Sequence, residues 1–463
     1  MQTLQDTTRL RDQYSLVRNG TVSLCESLTP EDMCLQADED ASPTKWHLAH
    51  TTWFFENFVL RRHDERYRPY APEYDFLFNS YYNSVGEYAA KPTRGLISRP
   101  TVADVLLYRE HTDAAIADRL VAGDLSPELL DTLVIGLHHE QQHQELLLMD
   151  IKHLFARNPL RPAFVPEGAG SGDFTASAAP AGWIRFEGGI QRIGAAEGMF
   201  SYDNERPRHE ALIREFDVAA APVTCGDYLR FIEEGGYQRS EFWLSDGWTF
   251  ARQNDWQAPM YWEWIDGRWH VMTLHGRRPL REAEPVCHVS YYEADAFARF
   301  MACRLPTEQE WEVASLGSAV HGNFMDQGRF HPAPFGSFEI PTIPAVDSTT
   351  SVPRNGQSGV SPVNTNGRAA VDAGAKPVSQ PVQLFGDVWE WTSSPYQAYP
   401  GYQSYKGGLR EYNEKFMCNQ FVLRGGSCMT VASHIRRTYR NFYVPSARWV
   451  ATGIRLARDG GAT

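Results

Sequence analysis

Within the apolar run from Leu129 to Met149 the chain reads His139-Glu140-Gln141-Gln142-His143-Gln144-Glu145. His139 and His143 are four apart, so on a helix both imidazoles leave the same face, one turn from each other. Two neutral imidazoles at that spacing can share one divalent transition metal. The plain alternative is a pair of ordinary core histidines. Buried imidazoles need partners, however, and a metal supplies both at once.

Two metal chemistries compete for this segment. Read as HExxH, His139 and His143 would hold zinc and Glu140 would be the general base of a hydrolase. Read as HxxxHxE, the site needs a third histidine from another helix. Trp46-His47-Leu48-Ala49-His50-Thr51-Thr52-Trp53-Phe54 offers two. His50 falls on the same stripe as Trp46, Trp53 and Phe54, with His47 as its rival three residues earlier.

These residues require helices to position them. Helix is expected over 9–27, from a Ser42-Pro43 start (Ser as N-cap, Pro at N1), over 101–121 from Thr101, and from Ser126-Pro127 to about Phe155. The last would turn Ile135, His139, His143, Leu146, Leu147 and Asp150 inward. Four such helices make a bundle over 1–157, with a metal site between facing helices and 64–100 as a long crossover. Residues 158–182, rich in Pro, Gly, Ser and Ala, read as a linker. From Trp183 short β-like runs, glycines and aromatics follow, with a helix near 291–303. The stretch 343–380 reads as an extended surface loop.

Composition bounds the function. At 463 residues the chain holds more than one domain, and its net charge of −13 argues against nucleic-acid or anionic-membrane partners. No apolar run approaches a membrane span, and the N-terminus lacks a signal-peptide pattern. Seven cysteines without a CxxC suggest free thiols in a reducing cytoplasm. The oligomeric state is left open.

The second half carries ordered phrases: Pro222-Val223-Thr224, Arg304-Leu305-Pro306-Thr307-Glu308-Gln309-Glu310-Trp311-Glu312, Gly386-Asp387-Val388-Trp389-Glu390-Trp391-Thr392, Arg424-Gly425-Gly426-Ser427 and Gly453-Ile454-Arg455. Together they resemble the formylglycine-generating-enzyme (FGE-sulfatase) domain, a variant of the C-type-lectin-like fold, over 183–457. Formylglycine chemistry itself needs paired cysteines after the Gly-Gly-Ser phrase. Residues 429–440 contain none and Cys428 stands alone. With Ser42-Pro43 to His50 and His139 to Glu145, the whole chain resembles the ergothioneine-biosynthetic sulfoxide synthases (the EgtB family). The resemblance implies a multidomain α+β protein, a DinB-like four-helix bundle followed by the FGE-type α+β domain.

It also implies a non-haem Fe(II) held by His50, His139 and His143, with O2 as co-substrate. The implied reaction joins the imidazole of hercynine (trimethylhistidine) to L-cysteine or γ-glutamylcysteine as a sulfoxide. Gln142 matches a glutamine at the hercynine carboxylate. Asn441 would hydrogen-bond substrate, and the ring face of Phe442 would attract the trimethylammonium. Tyr81 and Tyr82 resemble a tyrosine pair beside the oxygen site in one branch. Another branch places that tyrosine before the Arg-Gly-Gly-Ser phrase, somewhere in Tyr399–Tyr412. Lys91 and Arg94 resemble an RxxR grip on the thiol substrate's carboxylates, with Lys a point charge instead of a fork. Tyr443 stands where relatives that hold γ-glutamylcysteine have Asp, which favours free cysteine. Calcium binding recurs in the fold, and at Gln383 and Asp387 that question is open. A non-catalytic lectin-like binding protein is the remaining alternative.

Overall fold

The computed structural model describes residues 2–64, 66–123, 125–165, 179–337 and 379–461. The first half is helical: α1 (Gln2–Ser23), α2 (Thr44–Phe55), the short α3 (Tyr74–Phe78), α4 (Val102–Ala122) and α5 (Pro127–Arg157). The long helices form the bundle, with α2 packed on both α4 and α5 and α1 on α5.

Local chemistry sets most starts. Thr101 and Asp104 form a reciprocal capping box at α4, and the Ser126 hydroxyl accepts from the Leu129 N–H with Pro127 at N1 of α5. Two expectations need correction. Helix α1 spans 2–23, not 9–27: it extends back past its apolar repeat, which gives no signal between Gln2 and Thr8, and it ends four residues sooner. Ser42 does not cap α2, which begins at Thr44 with Pro43 in the N-cap position. Tertiary partners take Ser42 instead: its N–H donates to Asp150 (2.8 Å) and its hydroxyl accepts from Arg94 (2.9 Å). The crossover holds α3 and a 3-10 turn over Lys91–Leu96, and α2 runs on through a π-helical stretch, Glu56–Arg61.

One glycine decides how close α2 and α5 come. A Cβ on Gly136 would sit 2.5 Å from Cε1 of Phe55. Its absence lets the two helices approach one turn before His139.

The second half is built on strands β1 (Trp183–Phe186), β2 (Gly189–Ile193), β3 (His209–Ile213), β4 (Phe216–Ala219), β5 (Trp262–Ile265), β6 (Arg268–Thr273), β7 (Gly276–Pro279), β8 (Trp389–Pro395), β9 (Phe421–Arg424), β10 (Asn441–Tyr443), β11 (Thr452–Gly453) and β12 (Ala457–Asp459). They form four small sheets ordered β1-β4-β12, β2-β3, β5-β6-β7 and β10-β9-β8-β11. Capping boxes start α6 (Cys225–Glu233), α8 (Tyr291–Phe300) and α9 (Glu308–Ala314), while α7 (Ser245–Gln253) has no side-chain cap. The expected 291–303 helix therefore stops three residues sooner, where Ala302 takes a positive φ. The expected loop 343–380 lies outside the described residues except for 379 and 380, and of the expected linker 166–178 does so too.

The recurring phrases prove to be one another's partners. Arg455 pairs with Glu390, whose Oε2 also accepts from the Trp311 indole at 2.7 Å. Arg424 pairs with Glu312, and Arg304 with Glu310. Apart from Arg304, which is part-exposed, these charges are buried, and each is matched, the condition under which an interior tolerates them.

Helix α5 joins the halves, and this is why it is buried on nearly every face from Ile135 to His153. Its Glu145 accepts from Trp389 (2.7 Å), Ser427 (2.9 Å) and Thr430 (2.8 Å) of the second domain. Gln141 donates to Ser433, and Lys152 meets His288 at 2.7 Å. No described helix is long and apolar enough to cross a membrane.

Candidate metal centre

Helices α2 and α5 run past each other so that His50 faces His139 and His47 faces His143. His50, His139 and His143 each offer a ring nitrogen within 4.8 Å of the others, and no other such metal-holding cluster occurs among the described residues. Nε2 of His50 lies 3.3 Å from Nε2 of His139. All three are buried, at 1%, 4% and 8% exposure. Burial pushes His139 down to about 3 and carries His50 and His143 well below the usual histidine range, each lowered further by the neighbouring imidazoles. The rings are therefore neutral at pH 7, the state in which they ligate.

Their orientation is fixed. His50 stacks on Trp46 (4.6 Å between centroids, 8° between planes), and its Nδ1 lies 2.6 Å from the carbonyl oxygen of Phe78. A carbonyl only accepts, so His50 Nδ1 carries the proton and Nε2 presents its lone pair to His139. Phe54 packs 4.4 Å from the His139 ring, whose Nδ1 is buried with no hydrogen-bond partner. Three converging neutral imidazoles are a donor set that fits a divalent transition metal.

Glu140 contradicts the hydrolase reading. It is fully buried, paired with Arg18 (2.8 Å) and Arg109, and it also accepts from the Thr21 hydroxyl (2.6 Å). Both its oxygens are taken by these three donors, so Glu140 is held as the partner of two buried cations and has none left for a metal-bound water. At Asp387, calcium does not fit the donors present. Asn323 Nδ2 (2.8 Å) and the Ala333 N–H (2.9 Å) donate to Oδ1, and Gln383 Nε2 (3.0 Å) to Oδ2. A cation there would meet N–H groups, not oxygen ligands.

His139 and His143 open on a cavity of about 580 Å3 between the two domains. Tyr81, Lys91, Arg94 and Gln142 of the bundle line it, as do Asn441, Phe442 and Tyr443 of the second domain. Both ends of the Gln142 amide are engaged: Nε2 donates to Tyr439 (2.7 Å) and Oε1 accepts from Tyr412. Phe442 lies flat on Tyr396 at 4.0 Å, and Asn441 accepts from the Phe442 N–H. Tyr443 packs edge-on against Trp449. Arg94 is 5% exposed and sits 3.5 Å over the Trp46 ring; among the described residues it donates to the Ser42 hydroxyl and the Ser80 carbonyl, and its Nε has no hydrogen-bond partner. Burial lowers it to about 9. Lys91 is exposed at the rim.

The tyrosine pair divides. Tyr81 reaches the cavity, with burial pushing it up to about 12. Tyr82 is not on the cavity wall; its ring packs among Trp53, Phe54 and Phe58. Of the stretch Tyr399–Tyr412, Tyr412 is the tyrosine that lines the cavity; its ring lies 5.7 Å from that of His139 and stacks on Tyr202. It reaches the site because neighbouring Glu411 accepts from the N–H groups of Asn83 (3.0 Å) and Ser84 (2.8 Å) in the bundle. That docking leaves no sequence signal. Tyr439, which holds Gln142, was missed for the same reason.

The sulfatase-modifying factor enzyme 1-like domain family matches residues 172–460, and the DinB superfamily matches residues 13–147. These two domains, joined with a buried imidazole triad at their junction, define a class of two-domain enzymes. The chain belongs to the hercynine oxygenase family and is an oxygenase-type enzyme. It is 32% identical to the hercynine oxygenase of Mycobacterium tuberculosis over 92% of this chain and 93% of that one. It is 30% identical to that of Mycolicibacterium smegmatis over 97% and 98%. Ergothioneine biosynthesis protein 1 of Schizosaccharomyces pombe is 25% identical over 56% of this chain and 28% of its own.

Proposed function

We propose that the protein is a non-haem iron(II)- and O2-dependent sulfoxide synthase of ergothioneine biosynthesis that joins hercynine to L-cysteine, with γ-glutamylcysteine as the weaker thiol. The observation that carries the reading is a buried, neutral three-imidazole cluster opening on a cavity whose walls come from both domains. The names of the relatives, hercynine oxygenase and ergothioneine biosynthesis protein 1, support the substrate and the pathway.

His50, His139 and His143 would hold the metal. When bound, iron(II) supplies redox chemistry with O2 and favours the thiolate of the sulfur substrate. The overall reaction balances as R–SH + R′–H + O2 → R–S(O)–R′ + H2O, where R′–H is the imidazole C–H. Arg94, a buried guanidinium whose Nε has no hydrogen-bond partner, grips the carboxylate of the amino-acid thiol, and Lys91 adds charge at the rim. Gln142, clamped by Tyr412 and Tyr439, and Asn441 orient hercynine, and the exposed face of Phe442 receives its trimethylammonium. Tyr412 and Tyr81 are the hydroxyls placed to hand over a proton, with Tyr412 nearer the triad.

The test is iron reconstitution followed by aerobic incubation with hercynine and each thiol, with products identified by mass. A sulfoxide from cysteine is expected, and His50→Ala, His139→Ala or His143→Ala each abolishes iron retention and turnover. No coupled product with either thiol, or full turnover in any of the three variants, overturns the proposal.

A further inference from the structure

His47 stands one turn before His50 on the same face of α2, yet its ring does not join the triad. Its Nδ1 lies 2.8 Å from Nδ1 of His143, and its Nε2 lies 2.9 Å from Oδ2 of Asp150. Asp150 is seven residues, about two turns, beyond His143 on α5. Because α2 and α5 are antiparallel at this point, the three groups form one line: carboxylate, imidazole, ligand imidazole. His47, His143 and Asp150 are all at least nine-tenths buried.

The directions of these hydrogen bonds follow from one fixed donor. The Ser42 backbone N–H can only donate, and it donates to Asp150 Oδ2 at 2.8 Å. That oxygen is therefore an acceptor, so His47 Nε2 carries a proton towards it. A neutral imidazole protonated on Nε2 has its lone pair on Nδ1. With a single proton on the His47 ring, its Nδ1 accepts and His143 Nδ1 donates. His143 is left with its lone pair on Nε2. The Phe78 carbonyl imposes the same tautomer on His50 by an independent route. His139, with Nδ1 unpartnered, has no such support.

We propose that Asp150 and His47 are positioning residues that hold His143 in the Nδ1–H tautomer and aim its Nε2 at the metal. This rests on the three-histidine metal centre proposed above. His47 reads as a rival ligand from its spacing, but in the fold both its nitrogens are engaged elsewhere, and it acts through His143. Outer partners of this kind fix ring orientation and raise the basicity of the ligand nitrogen.

Cobalt(II) titration of the metal-free, substrate-free protein, followed by visible absorption, reads the effect without turnover. Relative to wild type, His47→Phe and Asp150→Ala should weaken cobalt binding by about 10- to 100-fold. Asp150→Asn, whose amide oxygen can still accept from Ser42 and His47, should stay within a few-fold of wild type. Nitrogen-15 NMR of histidine-labelled metal-free wild type should find His143 protonated on Nδ1, a measurement that requires no variant to fold. His143 protonated on Nε2, or wild-type cobalt affinity in both His47→Phe and Asp150→Ala, overturns the relay. His139→Ala separates the two ideas. If that variant binds cobalt like wild type, the metal centre itself fails. If it loses cobalt while His47→Phe keeps it, the centre stands and the relay falls.

Discussion

Glu140→Gln tests how the structure reads the most prominent motif in the chain. The carboxylate is completely buried and contacts Arg18, Arg109 and Thr21. Burial alone would raise its pKa, but the guanidiniums of Arg109 and Arg18 outweigh that and hold it well below the usual carboxylate range. The glutamine keeps the shape and removes the charge, leaving two buried cations facing an amide. Removing one partner of a buried pair costs about 3–5 kcal/mol. Arg18 retains Asp113 at 2.7 Å, which places the expected loss near the lower end, about 3 kcal/mol. Because α5 ties the two halves together, the whole 463-residue chain melts with it, and the thermal midpoint falls by about 3 °C. Metal affinity should stay within a few-fold of wild type, because the Glu140 oxygens are held by Arg18, Arg109 and Thr21 and Glu140 is not part of the imidazole cluster. Thermal melts by far-UV circular dichroism, paired with cobalt titration, read both quantities. Adding Arg109→Met should recover part of the loss, since the stranded cation goes too. A change in stability below about 0.5 kcal/mol, or loss of metal with stability intact, would refute the reasoning.

Other outcomes follow from the same geometry. In the metal-free protein His139 is held down at about 3 by burial, so the unfolded chain binds the extra proton below the usual histidine value. Stability therefore rises with pH through about 6.5 and falls on acidification, by about 2 kcal/mol for this residue between pH 7 and pH 5. Denaturant unfolding of metal-free wild type and His139→Leu at the two pH values should show the slope reduced by that amount; identical slopes would exclude the assignment. Tyr412→Phe and, to a lesser degree, Tyr81→Phe should divert product from the coupled sulfoxide towards sulfinate from the thiol alone. Tyr82→Phe should leave the ratio unchanged, and product analysis that found Tyr82 decisive would remove the cavity argument. Arg94→Met should raise the KM for cysteine by about 10- to 100-fold, the value of a lost charged hydrogen bond, with the KM for hercynine little altered. Steady-state kinetics with each substrate varied in turn decides it.

Much of the site is legible before any fold is known. The four-residue spacing of His139 and His143 places them together on any helix, and the stripe with Trp46, Trp53 and Phe54 selects His50. Thr101 and Ser126 mark their helix starts correctly because a cap satisfies the neighbouring N–H groups with a local side chain. Ser42 misleads because Asp150 and Arg94, distant in sequence, claim its hydrogen bonds. The five phrases of the second half identify its domain, but their pairing as Arg455 with Glu390 and Arg424 with Glu312 is visible only once folded.

What the chain determined by itself was the set of short-range relations: which imidazoles share a face, where helices begin, which half is helical. Backbone geometry dictates these within a few residues. Only the tertiary structure decided that Glu140 turns to Arg18 and Arg109, that His47 serves His143, and that Tyr412 enters the cavity while Tyr82 stays in the core. Each of those outcomes is a choice of partner across tens to hundreds of residues. It is made by the need of buried polar groups for a mate, which local spacing does not encode.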